Sequence, residues 1–303
     1  MFNLLRQIHF IRHGWFFFLI SIITITISTY YIKHQPLKYD IEFTGGTTIQ
    51  TDKDFNTTEI TKKYPEAQIT QHQLFTNITI PNIKLELKSP KIQSIAYVGP
   101  SISKDLISTS IQAIIISLIT MLIYISYRFE WYFGICTVLT LIHNLYITYG
   151  FICYQEIPTN LHVIAALLFI IGYSINDSIV IFDRIRENKQ KYINNKNTSN
   201  NTSNNHSNNN VIQNTNNISI NTLDHEEHSE VCHNSIIQTL YRTTYTVLTT
   251  LVAPIIITIL GNNDPLEHIG IISTVGIIAG AYASIFLSAF TLNKLHQIKN
   301  IFI

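Results

Sequence analysis

Six stretches of this chain are apolar enough, for long enough, to cross a lipid bilayer: residues 15–32, 107–127, 131–153, 161–182, 244–260 and 269–292. A helix needs about 20 such residues to span the hydrocarbon core, and only the fifth stretch is somewhat short. Their Ile-rich, β-branched composition favours strands in water. In lipid, each backbone polar group must be satisfied within its own segment, which a helix does locally. The predicted fold is therefore an α-helical polytopic membrane protein with six transmembrane helices.

Charged residues make up only 13% of the 303 residues, as in a membrane protein, while the modest overall hydropathy reserves part of the chain for water. Net charge is +1, so no global basic field points to nucleic acid. The three cysteines, Cys136, Cys153 and Cys232, fit neither a disulfide framework nor a paired-cysteine zinc site. Arg6 and Arg12 precede an apolar run, as in a signal peptide. However, Tyr30-Tyr31-Ile32-Lys33 follows without a small-residue cleavage site, which predicts an uncleaved first helix.

The arginines set the orientation. Arg6, Arg12, Arg128, Arg184, Arg186 and Arg242 all fall on one side if the N-terminus is cytoplasmic, and Lys294 and Lys299 join them. The short opposite loops, 154–160 and 261–268, carry no Lys or Arg, which is a positive-inside pattern. Residues 1–32 are then a cytoplasmic N-terminus and the first transmembrane helix. Residues 33–106 are a small extracytoplasmic α+β domain, and 107–183 are helices two to four. Residues 184–243 are a cytoplasmic loop, and 244–303 are the last two helices and a cytoplasmic C-terminus.

Within 33–106, residues 47–52, 68–75, 77–80 and 92–98 read as strands, and 57–64 as a short helix ended by Pro65. Gly45-Gly46 lacks the lysine and spacing of a phosphate loop and reads as a bend entering the first strand. In the long loop, 14 of the 29 residues of 194–222 are Asn. Such a segment buries too little apolar surface to fold alone, so a disordered insert is expected there. Its Asn-x-Ser/Thr matches follow from composition. His225, His228, Cys232 and His233 fit no familiar zinc spacing and read as part of a helix leading into the fifth span.

The fourth stretch runs into Gly172-Tyr173-Ser174-Ile175-Asn176-Asp177-Ser178-Ile179-Val180-Ile181-Phe182-Asp183-Arg184-Ile185-Arg186-Glu187-Asn188. It places an amide, Asn176, and a carboxylate, Asp177, inside an apolar run. A charge near a helix centre costs roughly 2.5–3.5 kcal/mol on insertion scales. Asp177 must face a polar interior, find a partner or bind a proton. It is either a proton- or cation-coupling site or part of the hydrogen bonding that holds membrane helices together. Asn176 cannot titrate and reads as its hydrogen-bonding neighbour.

This stretch resembles the fourth-helix motif of the SecF proteins, members of the SecD/SecF family within the RND superfamily. Other pieces agree in order: Phe43-Thr44-Gly45-Gly46-Thr47, Val98-Gly99-Pro100, Arg128-Phe129-Glu130-Trp131 and Thr239-Leu240-Tyr241-Arg242-Thr243. The resemblance spans almost the whole chain apart from the insert. It implies half of an RND-type transporter that pairs with a SecD-like subunit and meets a SecYEG-type channel in the membrane lipid. Preproteins are the implied substrates, drawn across by the proton or sodium gradient. The implied work is transport, and the residues show no Ser/His/Asp, metal or nucleotide constellation, so no enzymatic step, cofactor or metal is expected. The implied location is a bacterial inner membrane or an organelle membrane of bacterial descent.

The resemblance also implies roles for residues. Arg242 is linked to ion passage with a membrane carboxylate, although a positive-inside anchor is the plainer role. The family pattern has His-Asp where this chain has His143-Asn144. That maps a transport carboxylate onto an amide: either coupling has shifted to Asp177, or a partner chain supplies it, or the chain is uncoupled. With Asp177 as the coupling group, Asn144→Asp is predicted to be tolerated. His143 can titrate, but a lone membrane histidine also serves packing and hydrogen bonding. The threonines at 243, 244, 246, 249 and 250 either line a polar path or bond back to their own helix. Gly270, Gly276, Gly280, Ala281, Ala283 and Ser284 predict a small, close-packing face on the sixth helix. Two other readings stay open: a structural accessory subunit without ion coupling, supported by Asn144, and an RND-like exporter half.

Overall fold

The computed structural model describes residues 14–35, 37–52, 58–65, 67–71, 75–81, 83, 92–129, 131–204, 225–261, 265–288 and 291–292. Arg6, Arg12, Lys294, Lys299 and residues 205–222 of the Asn-rich insert lie outside them.

Six long apolar helices form the bundle: α1 (Gly14–His34), α4 (Pro100–Arg128), α5 (Trp131–Tyr154), α6 (Leu161–Asn204), α7 (His225–Leu260) and α8 (Pro265–Tyr282). Helix α8 continues through a π-helical turn, Ala283–Leu287. Between α1 and α4 lie two short helices, α2 (Ile41–Thr44) and α3 (Thr58–Lys63). Among its described residues the same segment holds four strands: β1 (Gly46–Asp52), β2 (Gln68–Gln71), β3 (Phe75–Pro81) and β4 (Ile92–Val98).

The strands form one antiparallel sheet in the order β2-β3-β1-β4, with Ile49 opposite Ile78 and Ile95. Alternation along β1 and β3 puts Ile49, Ile78 and Ile80 on one face, where they pack on Ile60, Tyr64 and Ala67 around α3. The four strands lie close to where the sequence puts them. Phe75, however, opens β3 rather than closing β2, and α2 is an addition to the expected elements. Gly45 ends α2 at φ +74°, a conformation glycine adopts without strain, so the chain turns directly from helix into strand.

Helices α5, α6 and α8 form the interior of the bundle, while α1, α4 and α7 present long apolar faces outward. Close approach follows from small residues. A Cβ on Gly276 would meet Ile170 of α6, and one on Gly280 would meet Ser174 and Asn144. Around Phe182, which is fully buried, Phe133 packs edge-on at 4.8 Å and Phe129 at 6.4 Å.

Helices α6 and α7 outrun the membrane. At 1.5 Å per residue the 44 residues of α6 extend about 66 Å, against a hydrocarbon core of about 30 Å. Beyond the bundle they run antiparallel, joined by Arg184 to Gln238 (2.7 Å), Asn188 to Ser235 (2.8 Å) and Lys196 to Glu227 (2.8 Å). The structure therefore corrects the expected disorder of residues 194–204, which continue α6. Adding a residue to an existing helix avoids the costly nucleus, so a weak helix former such as Asn is carried along. Helix α4 likewise begins at Pro100, ahead of its apolar run, and α7 begins at His225, ahead of residue 244.

Candidate functional site

Buried polar groups concentrate where α5, α6, α7 and α8 meet. Along α6 the buried positions 170, 171, 174, 175, 177, 178, 181, 182 and 185 trace one helical face. Asp177 lies on that face with 2% of its surface exposed, and its Oδ2 has no hydrogen-bond partner. Such a buried acceptor needs a donor or a proton. Across the α6–α7 seam, the guanidinium of Arg242 acts electrostatically on this carboxyl group. Arg242 itself is exposed at the basic end of the bundle. That end also holds Arg184, bonded to Gln238 one turn before Arg242, and Arg186, which reaches the Arg128 carbonyl at 3.4 Å.

One turn before Asp177, Tyr173 points into the same seam. Its hydroxyl faces Thr246 and Thr250 without reaching full hydrogen-bond geometry. The threonines of α7 mostly bond back to their own helix: Thr244 to Leu240, Thr246 to Thr243, Thr249 to Tyr245 and Thr250 to Thr246. The cluster thus follows the second of the two sequence expectations, with hydroxyls bonded back to their own helix.

Asn144 belongs to a neighbouring network. It is 1% exposed and donates to Ser174 Oγ at 2.9 Å and to the Gly276 carbonyl at 3.2 Å, tying α5 to α6 and α8. A carbonyl only accepts, so the amide nitrogen must be the atom facing Gly276. Below it Ser178 donates to the Ser174 carbonyl (3.2 Å) and to Ser284 Oγ (3.4 Å), and Ser284 also donates to the Ser174 carbonyl (3.3 Å). The π-helical turn holds Ser284 in this position. Extra-residue turns of this kind recur at functional sites.

His143 and Asn176 stand apart. His143 faces α1 beside the Ser21 backbone, is 8% exposed, and neither ring nitrogen has a hydrogen-bond partner. Nearby, Tyr282 donates to the Phe17 carbonyl at 2.5 Å, and its hydroxyl lies 3.2 Å from Ser21 Oγ. Asn176 is exposed on the outside of the bundle, so it is not the hydrogen-bonding neighbour of Asp177 that the sequence suggests. Successive helix positions differ by about 100°, and Asn176 falls outside the arc that carries Ser174, Asp177 and Ser178. Tyr173 escapes the sequence reading, although its spacing of four from Asp177 marks it as a neighbour. Nothing marks Tyr282 among 16 tyrosines. Among the described residues no group of three His, Cys, Asp or Glu converges as a metal site. Cys232 and His233 are buried in α7.

The arrangement can hold one buried carboxyl within the field of the Arg242 cation. The sequence profile described as Protein export membrane protein SecD/SecF, C-terminal, matches residues 81–225 and 216–297. The protein translocase subunit SecF of Rickettsia felis is 35% identical over 222 residues, covering 72% of this chain and 62% of that protein. The SecF of Rickettsia prowazekii is 35% identical over the same length, 61% of its own. The chain thus spans about three fifths of these curated relatives. Among solved structures, SecDF of Thermus thermophilus, a translocon-associated membrane protein, superposes with a TM-score of 0.75 at 26% identity. That match covers 97% of this chain and 39% of SecDF. SecDF in its super-membrane-facing form gives 0.65 at 25% identity, with coverage of 96% and 39%. This six-helix chain belongs to the SecD/SecF family of protein export membrane proteins.

Proposed function

We propose that the chain is a SecF-type subunit of a Sec protein translocase. In this reading it forms half of an RND-type transporter in a bacterial inner membrane, or in an organelle membrane of bacterial descent, with both termini cytoplasmic. It pairs with a SecD-like subunit, works beside a SecYEG-type channel, and helps draw preproteins across with the proton or sodium gradient. The work is transport, with no covalent chemistry. One charge moving through 100 mV supplies about 2.3 kcal/mol.

The observation that carries the reading is Asp177, buried, with an unpartnered oxygen and the Arg242 charge acting on it. A second subunit is supported by the surface of α6. Asn176 is exposed there, and a Cβ added at Gly172 would meet nothing within 4 Å. Polar groups at membrane depth are costly against lipid, and a facing bundle would cover them. The SecDF match, in which this chain accounts for 39%, leaves room for that second half.

The test is preprotein release from vesicles holding the reconstituted translocase, with and without an ionophore. The reading predicts that collapsing the gradient removes the stimulation given by this subunit. Stimulation that survives the ionophore supports the second reading, a structural accessory. That reading is favoured by one observation: Asn144 uses both amide hydrogens to staple three helices and has no proton to give.

A further inference from the structure

At the end of the bundle away from the arginines, the sheet domain is joined to α6 by a short strut. Lys38 forms an ion pair with Glu156 at 2.5 Å. Next to it the backbones of residues 38–40 and 159 pair: Thr159 N donates to the Lys38 carbonyl (2.8 Å) and Asp40 N to the Thr159 carbonyl (3.1 Å). Asp40 then divides its carboxylate. Oδ1 accepts from Ile41 N at 2.7 Å and starts α2, and Oδ2 faces Asn160 Nδ2 at 3.5 Å. Asn160 Oδ1 accepts from Val163 N at 3.1 Å, capping α6. Finally, Glu42 Oε2 accepts from Leu161 N, the first amide of α6, at 2.6 Å.

Neither end of this strut is loose. Ile41 and Phe43 are buried, Ser103 of α4 donates to the Ile41 carbonyl, and Gly45 leads straight into β1. At the other end, α6 is continuous from Leu161 to Asp177, sixteen residues or about 24 Å of rigid helix. The first amides of a helix lack intrahelical partners and carry partial positive charge, so a carboxylate there makes a short, charge-assisted bond. A side chain serving only as a cap would come from α6 itself or the residue before it, and Asn160 already does so. Glu42 comes from 119 residues away, on the element that starts the sheet.

We propose that Glu42 is a positioning residue that ties the sheet domain to α6 and so links movement of that domain to the placement of Asp177. This rests on the reading of Asp177 given above and names the path by which the sheet domain responds to it.

The test uses the full chain assembled with its SecD-like partner, carrying spin labels at Tyr97→Cys on exposed β4 and Gln190→Cys on exposed α6. The three native cysteines are buried. The parent gives one narrow distance distribution between the labels. Glu42→Ala broadens it about twofold or more, since the bond from the sheet domain to the first amide of α6 is cut. Glu42→Gln keeps an acceptor oxygen and restores the parent distribution. Asn160→Ser keeps the α6 cap but is too short to reach Asp40, and it broadens the distribution in the same direction. It decides the matter if Glu42→Ala fails to assemble. A parent distribution that is already broad, or variants as narrow as the parent, overturns the proposal. The readout needs no gradient, so a chain that never couples to ions would defeat the proposed function without touching this result.

Discussion

Asn144 on α5 lies 2.9 Å from Ser174 Oγ on α6, and its second amide hydrogen points at the Gly276 carbonyl of α8. One side chain thereby holds three helices at the depth of the buried polar network. From the sequence, an aspartate here restores a family feature and is tolerated. The geometry argues otherwise, because an ionised carboxylate has no hydrogen to give Gly276 and sets two acceptors face to face. Asn144→Asp is expected to destabilise the bundle by about 1–3 kcal/mol. Denaturant titration in mixed micelles measures it. Unchanged stability would mean that the residue is protonated or that α8 moves away.

Gly280 is the second control on that network. A methyl group there would collide with Ser174 Oγ and lie 2.8 Å from Asn144 Nδ2. Gly280→Ala should therefore cost about 1–3 kcal/mol by overpacking. Gly172→Ala, with open space around it, should be near neutral in the isolated chain. The same titration ranks the two. A reversed order would show that the α6–α8 packing is wrong.

Replacing residues 205–222 with a short Gly/Ser linker should leave membrane insertion and partner binding intact. Closure entropy changes only logarithmically with loop length. The linker must start after Asn204, because the preceding turns pair with α7 through Lys196 and Glu227. Co-purification yield checks the outcome, and a fall would reveal a binding role for the insert.

Purification in mild detergent should yield the chain with a SecD-like partner. The proposed contact face is the one on α6 where Asn176 is exposed and Gly172 has open space. Asn176→Trp should reduce the recovered partner about tenfold or more by placing a bulky ring in the contact. Full recovery would move the contact to another helix.

The six spans are legible because each apolar run has the length a bilayer demands, and the sheet because its Thr/Ile strands are separated by turn residues. The continuation of α6 through Asn194–Asn204 is not legible. Asn is a poor helix former, and the helix persists there because it grows from a formed segment and pairs with α7. Asp177 stands out as a charge in an apolar run. That Asn176 faces away is readable from the spacing of Ser174, Ser178 and Ile181, which share a face with Asp177. The approach of Arg242 across the α6–α7 seam is visible only through family resemblance, since local pattern carries no information across 65 residues. The bonds from Asn144 to a backbone carbonyl, and from Glu42 to a backbone amide, leave no mark in the sequence, because any residue supplies those partners.

The proposed ion coupling rests on a single group, Asp177. The decisive measurement is preprotein release from vesicles containing the assembled translocase, with parent chain or Asp177→Asn, in the presence and absence of an ionophore. Asparagine is nearly isosteric and retains hydrogen-bonding capacity, so assembly with the partner should be unchanged, while no ionisable carboxyl remains at this depth. The predicted result is that gradient-dependent stimulation disappears in Asp177→Asn and that release without a gradient equals that of the parent. If the Asp177→Asn protein still responds to the gradient as the parent does, the coupling site lies in the partner and this chain is a scaffold.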